Sequence, residues 1–250
     1  MSNLASTYRS QGRWAGAEAL QVETVITSKE TLGELHPHTL RHMGNLAHTY
    51  LHQGLWDEAE ALFVQVLDVM KQTLGELHPD TLVTMDHLAH TYLHQGRWDK
   101  AEALQVKVVD AQKQMLGELH ISTLHSMVHL VLAYQGQGRW DEAENLQVQV
   151  LDAQKQTLGE LHSHTLRGMH SLSWTYLHKG RFDAAETLQV QTVAAHKRFF
   201  GEEHRETLEA MKLLASIYKK QWPRRRHELK KLKAEINRLK NKPSACVTSS

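Results

Sequence analysis

The stretch LFVQVLDVMKQTLGELH, residues 62–78, returns almost unchanged as LQVQVLDAQKQTLGELH, residues 146–162. Fourteen of the seventeen aligned positions are identical, at an offset of 84 residues. Half of this offset, 42 residues, is the true period, because single residue types recur at that spacing along most of the chain. A fixed period of about 20 to 50 residues indicates a repeat protein, in which like units stack into one continuous core.

The residue types that keep the 42-residue period are leucine, tyrosine, glycine and tryptophan, with a phenylalanine as the fifth member of the tryptophan series. Small and aromatic residues at fixed positions indicate a repeated packing arrangement rather than a repeated catalytic motif. The series are Leu4, Leu46, Leu88, Leu130, Leu172 and Leu214; Tyr8, Tyr50, Tyr92, Tyr134, Tyr176 and Tyr218; Gly12, Gly54, Gly96, Gly138 and Gly180; and Trp14, Trp56, Trp98, Trp140 and Phe182.

Each repeat is predicted to be an antiparallel pair of helices. In the first complete copy Pro37 suits the first position of a helix, and Gly54 and Gly75 suit the positions after two helix ends. Apolar residues between these points recur at three- and four-residue spacing, which places them on one helical face. Ala47 and Ala59 are predicted to lie where the two helices approach closely, because a larger side chain there would overpack the pair.

The acidic residues that follow each tryptophan also repeat with the period. In the first complete copy they are Asp57, Glu58 and Glu60. Negative charge is favourable at the start of a helix, where the backbone dipole is positive. We therefore expect these side chains to be solvated helix starts and not catalytic carboxylates.

The predicted domain organisation is an array followed by a tail. Residues 1–221 form the repeat array, whose first copy is expected to be truncated because only the second half of its first helix is present. Residues 222–242 depart from the repeat and form a basic amphipathic helix, and residues 243–250 are expected to be a disordered tail. The apolar stripe of this helix repeats at three- and four-residue spacing, and it consists of Leu229, Leu232, Ile236 and Leu239.

Charge is distributed unequally between the array and the tail. The formal net charge of the chain is only +1, but residues 219–250 carry +9 and the remainder carries −8. We expect the tail to bind acidic surface, with docking onto the chain's own last helix pair ranked above an acidic partner. Nucleic acid is disfavoured, because no aromatic residues interleave the basic ones. The basic tail residues are Arg224, Arg225, Arg226, Lys230, Lys231 and Lys233.

Composition excludes several classes of protein. The single Cys246 rules out an intramolecular disulfide framework and predicts a reducing compartment, so a cytoplasmic location is expected. The sequence contains no apolar run of about 18 residues that would span a membrane, and its start does not resemble a signal peptide. It also contains no GxSxG, GxGxxG or GxxxxGK[ST] motif, so no enzyme activity and no cofactor are predicted.

The copy NLAHTYLHQGLWDEAEAL, which begins at Asn45, resembles the tetratricopeptide repeat (TPR). Its leucine, small residue, aromatic, glycine, aromatic and alanine stand at the steps of that family. The 42-residue length and the TLGELHP connector are similar to repeats of the kinesin light chain type, and to the C-terminal arrays of NACHT and NB-ARC signalling ATPases. The resemblance implies an all-α fold, a right-handed superhelical solenoid of stacked antiparallel helix pairs.

The same resemblance implies a binding surface. In this family the first helices line a concave groove that holds an extended peptide, and an asparagine before the signature leucine clamps the peptide backbone. That position holds Asn45 in one copy and His87 and His129 in the next two. The expected peptide-binding groove residues are Asn45, His48, His52, His87, His90, His94, His129 and His178.

The 19 histidines of the chain fall into two groups. Those of the connectors keep the 42-residue period, so capping and inter-repeat hydrogen bonds explain them. Those of the first helices, such as His48 with His52, stand four apart and share a helical face. Three interpretations remain open for this second group: a polar wall for a peptide, a pH-sensitive groove, or a metal site. No metal is predicted, because HTYLH lacks the glutamate of H-E-x-x-H and no third ligand is evident.

The sequence therefore predicts a non-catalytic scaffold for protein–protein interaction, with a peptide or protein partner in the groove. The alternative is a sensor fragment of a NACHT or NB-ARC signalling ATPase, whose chemistry would lie in residues outside this chain.

Overall fold

The computed structural model describes residues 4–5, 7–8 and 11–240, and all regular structure among them is α-helical, as predicted. The chain divides into two compact units, residues 1–138 and 139–250. The helices of the first unit are α1 (Trp14–Leu32), α2 (Pro37–Gln53), α3 (Trp56–Thr73), α4 (Pro79–His94), α5 (Trp98–Leu116) and α6 (Ile121–Gly136). Those of the second unit are α7 (Trp140–Leu158), α8 (Ser163–His178), α9 (Phe182–Phe200), α10 (Arg205–Lys220) and α11 (Arg226–Lys240).

Within each unit, helices that follow one another in the sequence pack together. The expectation of all-α helix pairs is thus confirmed for both units. In the first unit, the first helices of successive repeats are also neighbours, since α2 contacts α4 and α4 contacts α6. This arrangement brings the candidate site residues of three repeats onto adjacent helices.

The connector histidines cap the first helices, which confirms their expected structural role. Each imidazole Nδ1 accepts a hydrogen bond of 3.2 Å from the backbone N–H two residues further on. The bond satisfies one of the amides that have no partner inside a helix at its start. The five capping residues are His36, His78, His120, His162 and His204.

A threonine of the first helix stabilises the connector that precedes it. Thr39 Oγ1 donates to the carbonyl of Gly33 at 2.8 Å, and Thr165 Oγ1 donates to that of Gly159 at the same distance. The connector histidine and this threonine therefore hold the connector against the start of the first helix.

The predicted end of α2 is also confirmed. Gly54 has φ 80° and ψ 15°, in the left-handed region that glycine adopts without a steric cost. Ala47 and Ala59 lie at the close approach of the helix pair, and the side chain of each is fully buried. The structure thus has the predicted glycine at the end of the helix and the predicted buried alanines of the helix pair.

Replacing Ala101 by leucine is expected to destabilise the first unit by about 1–3 kcal/mol, because the added carbons have no space in a packed core. Ala101 occupies the position of Ala59 one repeat later and is also fully buried. Urea unfolding would measure the effect. The matched control is Ala103→Leu, an exposed position of the same helix, where little change is expected. Equal stability of the two variants would contradict the packing described here.

One expectation about the acidic helix starts is wrong. Glu60 is not simply solvated: its side chain is partly buried, and its Oε2 accepts a hydrogen bond of 2.9 Å from Gln95 Nε2 and pairs with Arg97. Burial opposes ionisation, but the bonds from Gln95 and Arg97 outweigh it and hold the pKa of Glu60 below its usual value. The reason is that Gln95 and Arg97 follow α4, so the carboxylate joins one repeat to the next.

Equivalent contacts occur elsewhere in each unit. In the first unit Gln137 donates to Glu102 at 2.7 Å, and in the second unit Lys179 pairs with Glu144. We call these contacts the inter-repeat bridges. They supply nearest-neighbour coupling between repeats in addition to the apolar core.

The basic helix α11 packs against the last helix pair, in the manner expected for self-docking. All four residues of its predicted apolar stripe are buried. Three of them, Leu232, Ile236 and Leu239, form a cluster with Val193 of α9 and with Ala210, Met211 and Leu214 of α10.

Two arginines before α11 bind acidic residues at the start of α9. Arg224 pairs with Asp183 at 3.1 Å, and Arg225 Nε donates to Glu186 Oε2 at 3.0 Å. Glu186 stands at the repeat position of Glu60, so Arg225 provides the inter-repeat bridge of the last pair. Exposed charge pairs contribute only about 0–1 kcal/mol each, so burial of the apolar stripe dominates the docking.

Helix α11 takes the place of a second repeat helix with a changed register. At the position of Phe63, which is buried, the period predicts residue 231, but Lys231 is exposed and Leu232 is buried instead. The buried face is therefore displaced by one residue from the frame of the other repeats.

The structure describes the tail only as far as residue 240. The predicted 222–242 helix is observed over Arg226–Lys240, and the expected disordered tail at 243–250 lies outside the described residues. In the part of the chain that the structure describes, none of the helices combines the length and the apolar character needed to cross a membrane.

Candidate functional site

The first helices of the first unit bring seven histidines into one set, which we call the histidine row. Helices α2, α4 and α6 each contribute residues at the positions that share a helical face. The row consists of His48, His52, His87, His90, His94, His125 and His129.

The imidazoles of the histidine row contact one another both within and between helices. His48 lies edge-on to His52, with ring centroids 4.5 Å apart, and edge-on to His87 at 5.1 Å. His90 stacks on His129 of the next repeat at 4.7 Å, with an interplanar angle of 7°. The predicted i, i+4 pairs therefore exist, and stacking between repeats connects them.

Two tryptophans flank the histidine row. Trp14 stacks on His52 with centroids 4.8 Å apart, and Trp56 stacks on His94 at 4.3 Å with an interplanar angle of 2°. The stacking partner of Trp56 thus lies on the first helix of the next repeat. In the third such contact Trp98 lies over Gly136, where an added Cβ would come within 2.3 Å of the indole.

Exposure divides the predicted groove residues of the first unit into three classes. Asn45, His52 and His94 are exposed, and their side chains are accessible to a partner. His48, His87 and His90 are partly buried. His129 is only 7% exposed and lies beneath the surface. The clamp position of the family is thus exposed at Asn45 but covered at His129.

The buried partner of His129 is a carboxylate that sequence reasoning missed. Asp86 Oδ1 accepts hydrogen bonds from Gln105 Nε2 at 2.7 Å, Ser126 Oγ at 3.2 Å and His129 Nδ1 at 3.1 Å. His125 Nδ1 lies 3.9 Å from Asp86 Oδ2. A signal was present in the sequence, because the equivalent positions of Asp86 one repeat earlier and one later hold Gly44 and Val128.

The ionisation of this cluster is strongly perturbed. Burial opposes the charge of Asp86, but the hydrogen bond and charge of His129 and the bond from Gln105 outweigh it and hold the pKa of this carboxyl well below its usual range. Burial, together with the positive charges of His129 and His94, lowers the pKa of His90 to about 3. Burial and His129 also lower the pKa of His94. His90 is therefore neutral at physiological pH.

The second unit contains the remaining predicted groove residue, His178. This exposed imidazole stacks on Trp140 with centroids 4.8 Å apart, and its Nδ1 hydrogen-bonds with the carbonyl of Trp174 at 2.9 Å. Trp140 also meets Trp174 edge-on at 5.2 Å. The contact of a repeat tryptophan with a first-helix histidine thus recurs in this unit.

The six basic tail residues do not form one surface. Arg224 and Arg225 bind acidic residues of α9, and Arg226 lies over the indole of Trp222 at 5.4 Å. The three tail lysines are exposed on α11, and they are Lys230, Lys231 and Lys233.

Comparison with family models gives a match to the tetratricopeptide repeat over residues 39–114 and 121–198, and a second match over residues 1–38. A search of curated proteins gives no match.

Solved structures of kinesin light chain-like repeat proteins resemble the chain. A kinesin light chain-type protein of Podosopora anserina with nearly identical TPR-like repeats is 31% identical, with a TM-score of 0.73 over 84% of this chain and 99% of that one. BtubC (BKLC) from P. vanneervenii, at 18% identity, has a TM-score of 0.68 over 92% and 89% of the two chains and supports the fold alone. The chain belongs to the tetratricopeptide repeat family, and its repeats resemble those of kinesin light chain-like proteins.

Proposed function

We propose that the protein is a non-catalytic scaffold that holds an extended peptide segment of a partner against the first helices of residues 1–138. The observation that carries this proposal is the exposure of Asn45, His52 and His94 on the adjacent helices α2 and α4. TPR arrays in general serve as protein-interaction scaffolds, and the first helices are where the family resemblance places the ligand.

The chemistry of this surface suits a peptide backbone. A neutral imidazole offers one donor and one acceptor, and the Asn45 amide offers both as well, so together they can pair with peptide N–H and C=O groups. Trp14 and Trp56 hold the exposed imidazoles by stacking, which reduces the conformational entropy that binding must remove. The surface is therefore preorganised for a polar, extended ligand.

Simultaneous His52→Ala and His94→Ala substitution is expected to weaken peptide binding about tenfold or more, equivalent to about 1.4 kcal/mol. Peptides selected from a random phage-displayed library on the wild-type chain would serve as probes, and fluorescence anisotropy would report their affinity. The control is Asp68→Ala, an exposed position on the second helix α3, which should leave affinity unchanged. Peptides that bind the double variant as tightly as wild type, with contacts on α3 or α5, would contradict the proposal.

Two finer points belong to the same proposal. Lys230, Lys231 and Lys233 offer a basic face to an acidic partner, and the single cysteine favours a cytoplasmic location. Neither of the solved kinesin light chain-like relatives above is a NACHT or NB-ARC ATPase, so no observation favours the sensor-fragment alternative.

A further inference from the structure

Asp86, His125 and His129 form a compact group of metal-ligating side chains. One ligand atom from each residue lies within 4.8 Å of the others. The shortest separations are 3.1 Å between His129 Nδ1 and Asp86 Oδ1, and 3.9 Å between His125 Nδ1 and Asp86 Oδ2. In a tetrahedral zinc site with bonds of about 2.0–2.1 Å, neighbouring ligand atoms are about 3.3–3.4 Å apart. The set extends to 4.8 Å, so its longest separation must shorten by about 1.5 Å to complete the site.

The repeat does not require this group. The other copies hold Gly44, Val128, His170 and Lys212 at the position of Asp86, and Arg41, Val83, Arg167 and Glu209 at that of His125. Burial of a carboxylate is costly unless hydrogen bonds or a cation compensate it. Asp86 and His125 depart from the period, and the buried Asp86 carboxylate is held by hydrogen bonds that the other repeats do not need, which makes the two residues candidates for a specific function.

The surroundings of Asp86 are those of a supported metal ligand. Gln105 and Ser126 donate to Oδ1 and fix the orientation of the carboxylate, as outer hydrogen-bond partners do in metal sites. Oδ2 is directed to the side of His125, whose side chain is 53% exposed. An ion therefore has a route from solvent to a buried carboxylate through an exposed imidazole.

We propose that Asp86, His125 and His129 bind a late first-row divalent cation, of which Zn²⁺ fits the two-imidazole, one-carboxylate ligand set. His129 Nδ1 can bind the ion only without its hydrogen, so a neutral imidazole takes the tautomer with the hydrogen on Nε2, whereas an imidazolium releases one proton to solvent. Three protein ligands leave a fourth coordination position for water. The site joins α4 to α6, and so ties together two successive repeats.

Cobalt(II) titration of the full chain tests this proposal. The protein is prepared without a histidine tag and stripped with EDTA. We expect a visible absorption band that saturates at one equivalent of Co²⁺ and disappears when Zn²⁺ is added. His125→Ala and Asp86→Asn are each expected to abolish the band.

His125→Ala is the decisive variant, because this side chain is exposed and its loss leaves the core intact, which circular dichroism would verify. The matched control is the double substitution His48→Ala and His52→Ala, which removes an i, i+4 histidine pair outside the group of Asp86, His125 and His129 and should retain the band. Absence of saturable Co²⁺ binding in the wild type would overturn the proposal. Binding that survives both His125→Ala and Asp86→Asn would also overturn it, by assigning the ion to other histidines.

Discussion

A chain that stops at Gln221 is expected to lose most of the hydrogen-exchange protection of α10. Without α11, the apolar face of Met211 and Leu214 is exposed to water, because Leu232, Ile236 and Leu239 cover it in the intact chain. Removal of a single buried leucine or isoleucine side chain typically costs about 2–5 kcal/mol. If α10 opens locally, this cost corresponds to amide exchange roughly 30-fold to several thousand-fold faster over residues 206–218.

A double substitution tests whether the faster exchange of α10 comes from loss of the packing of α11 and not from shortening of the chain. Leu232→Ala with Ile236→Ala removes two buried side chains and should accelerate exchange in both α10 and α11. Lys233→Ala, at an exposed position of the same helix, is the control and should change neither. Mass spectrometry after peptic digestion would locate the change. Exchange in α10 that is indifferent to both truncation and double substitution would show that α11 does not support this helix.

Acidification is expected to destabilise the first unit by about 1–3 kcal/mol between pH 6.5 and pH 4 through His90. Its folded-state pKa is about 3, below the ordinary value of 6.5. Within this window the unfolded chain binds a proton at His90 that the folded chain does not, so the free energy of unfolding falls as the pH falls. Partial exposure of the ring sets the lower end of the range.

The groups that face His90 are His94 and Asp86 on its own helix and His125 and His129 on α6. Asp86 does not change the pH dependence of stability in this window. Its pKa in the folded protein is lowered, so its contribution to the free energy of unfolding is lost only below pH 4. Replacing His90 by phenylalanine keeps a flat ring over His129 and removes the titration.

Urea unfolding of His90→Phe at several pH values is expected to show a shallower loss of stability than the wild type. His178→Phe in the second unit is the control, and its stability should follow that of the wild type. The titration of His90 itself can be followed by NMR. A ring that protonates near pH 6.5, or a variant that loses stability as steeply as the wild type, would contradict the burial described here.

The fold was predictable because the residues that cap and pack each helix pair recur at the 42-residue period. The capping role of His36 and the close approach at Ala59 could be inferred from position alone, since each recurs with the period. Even the docking of α11 followed from charge and a stripe at helical spacing. The one-residue change of register could not be predicted, because it depends on how Lys231 and Leu232 orient after an irregular turn.

The site was less predictable, since its chemistry depends on departures from the period. The i, i+4 histidine pairs were visible, but stacking of His90 on His129 depends on the distance between two helices. Asp86 was overlooked because it stands among apolar residues on a first helix, where no local pattern indicates a carboxylate. Glu60 was misjudged for a similar reason, since its partner Gln95 lies 35 residues away.

The one-residue shift of the buried face of α11, which exposes Lys231 and buries Leu232, has a consequence for assembly. A stack of similar units has no intrinsic last member, and an open apolar end invites another molecule to add head to tail, which leads to filaments when the contact does not close. Helix α11 instead turns Lys230, Lys231 and Lys233 outward. A second molecule that approaches that end meets hydrated lysine side chains instead of an open apolar face, so head-to-tail growth by apolar contact is opposed.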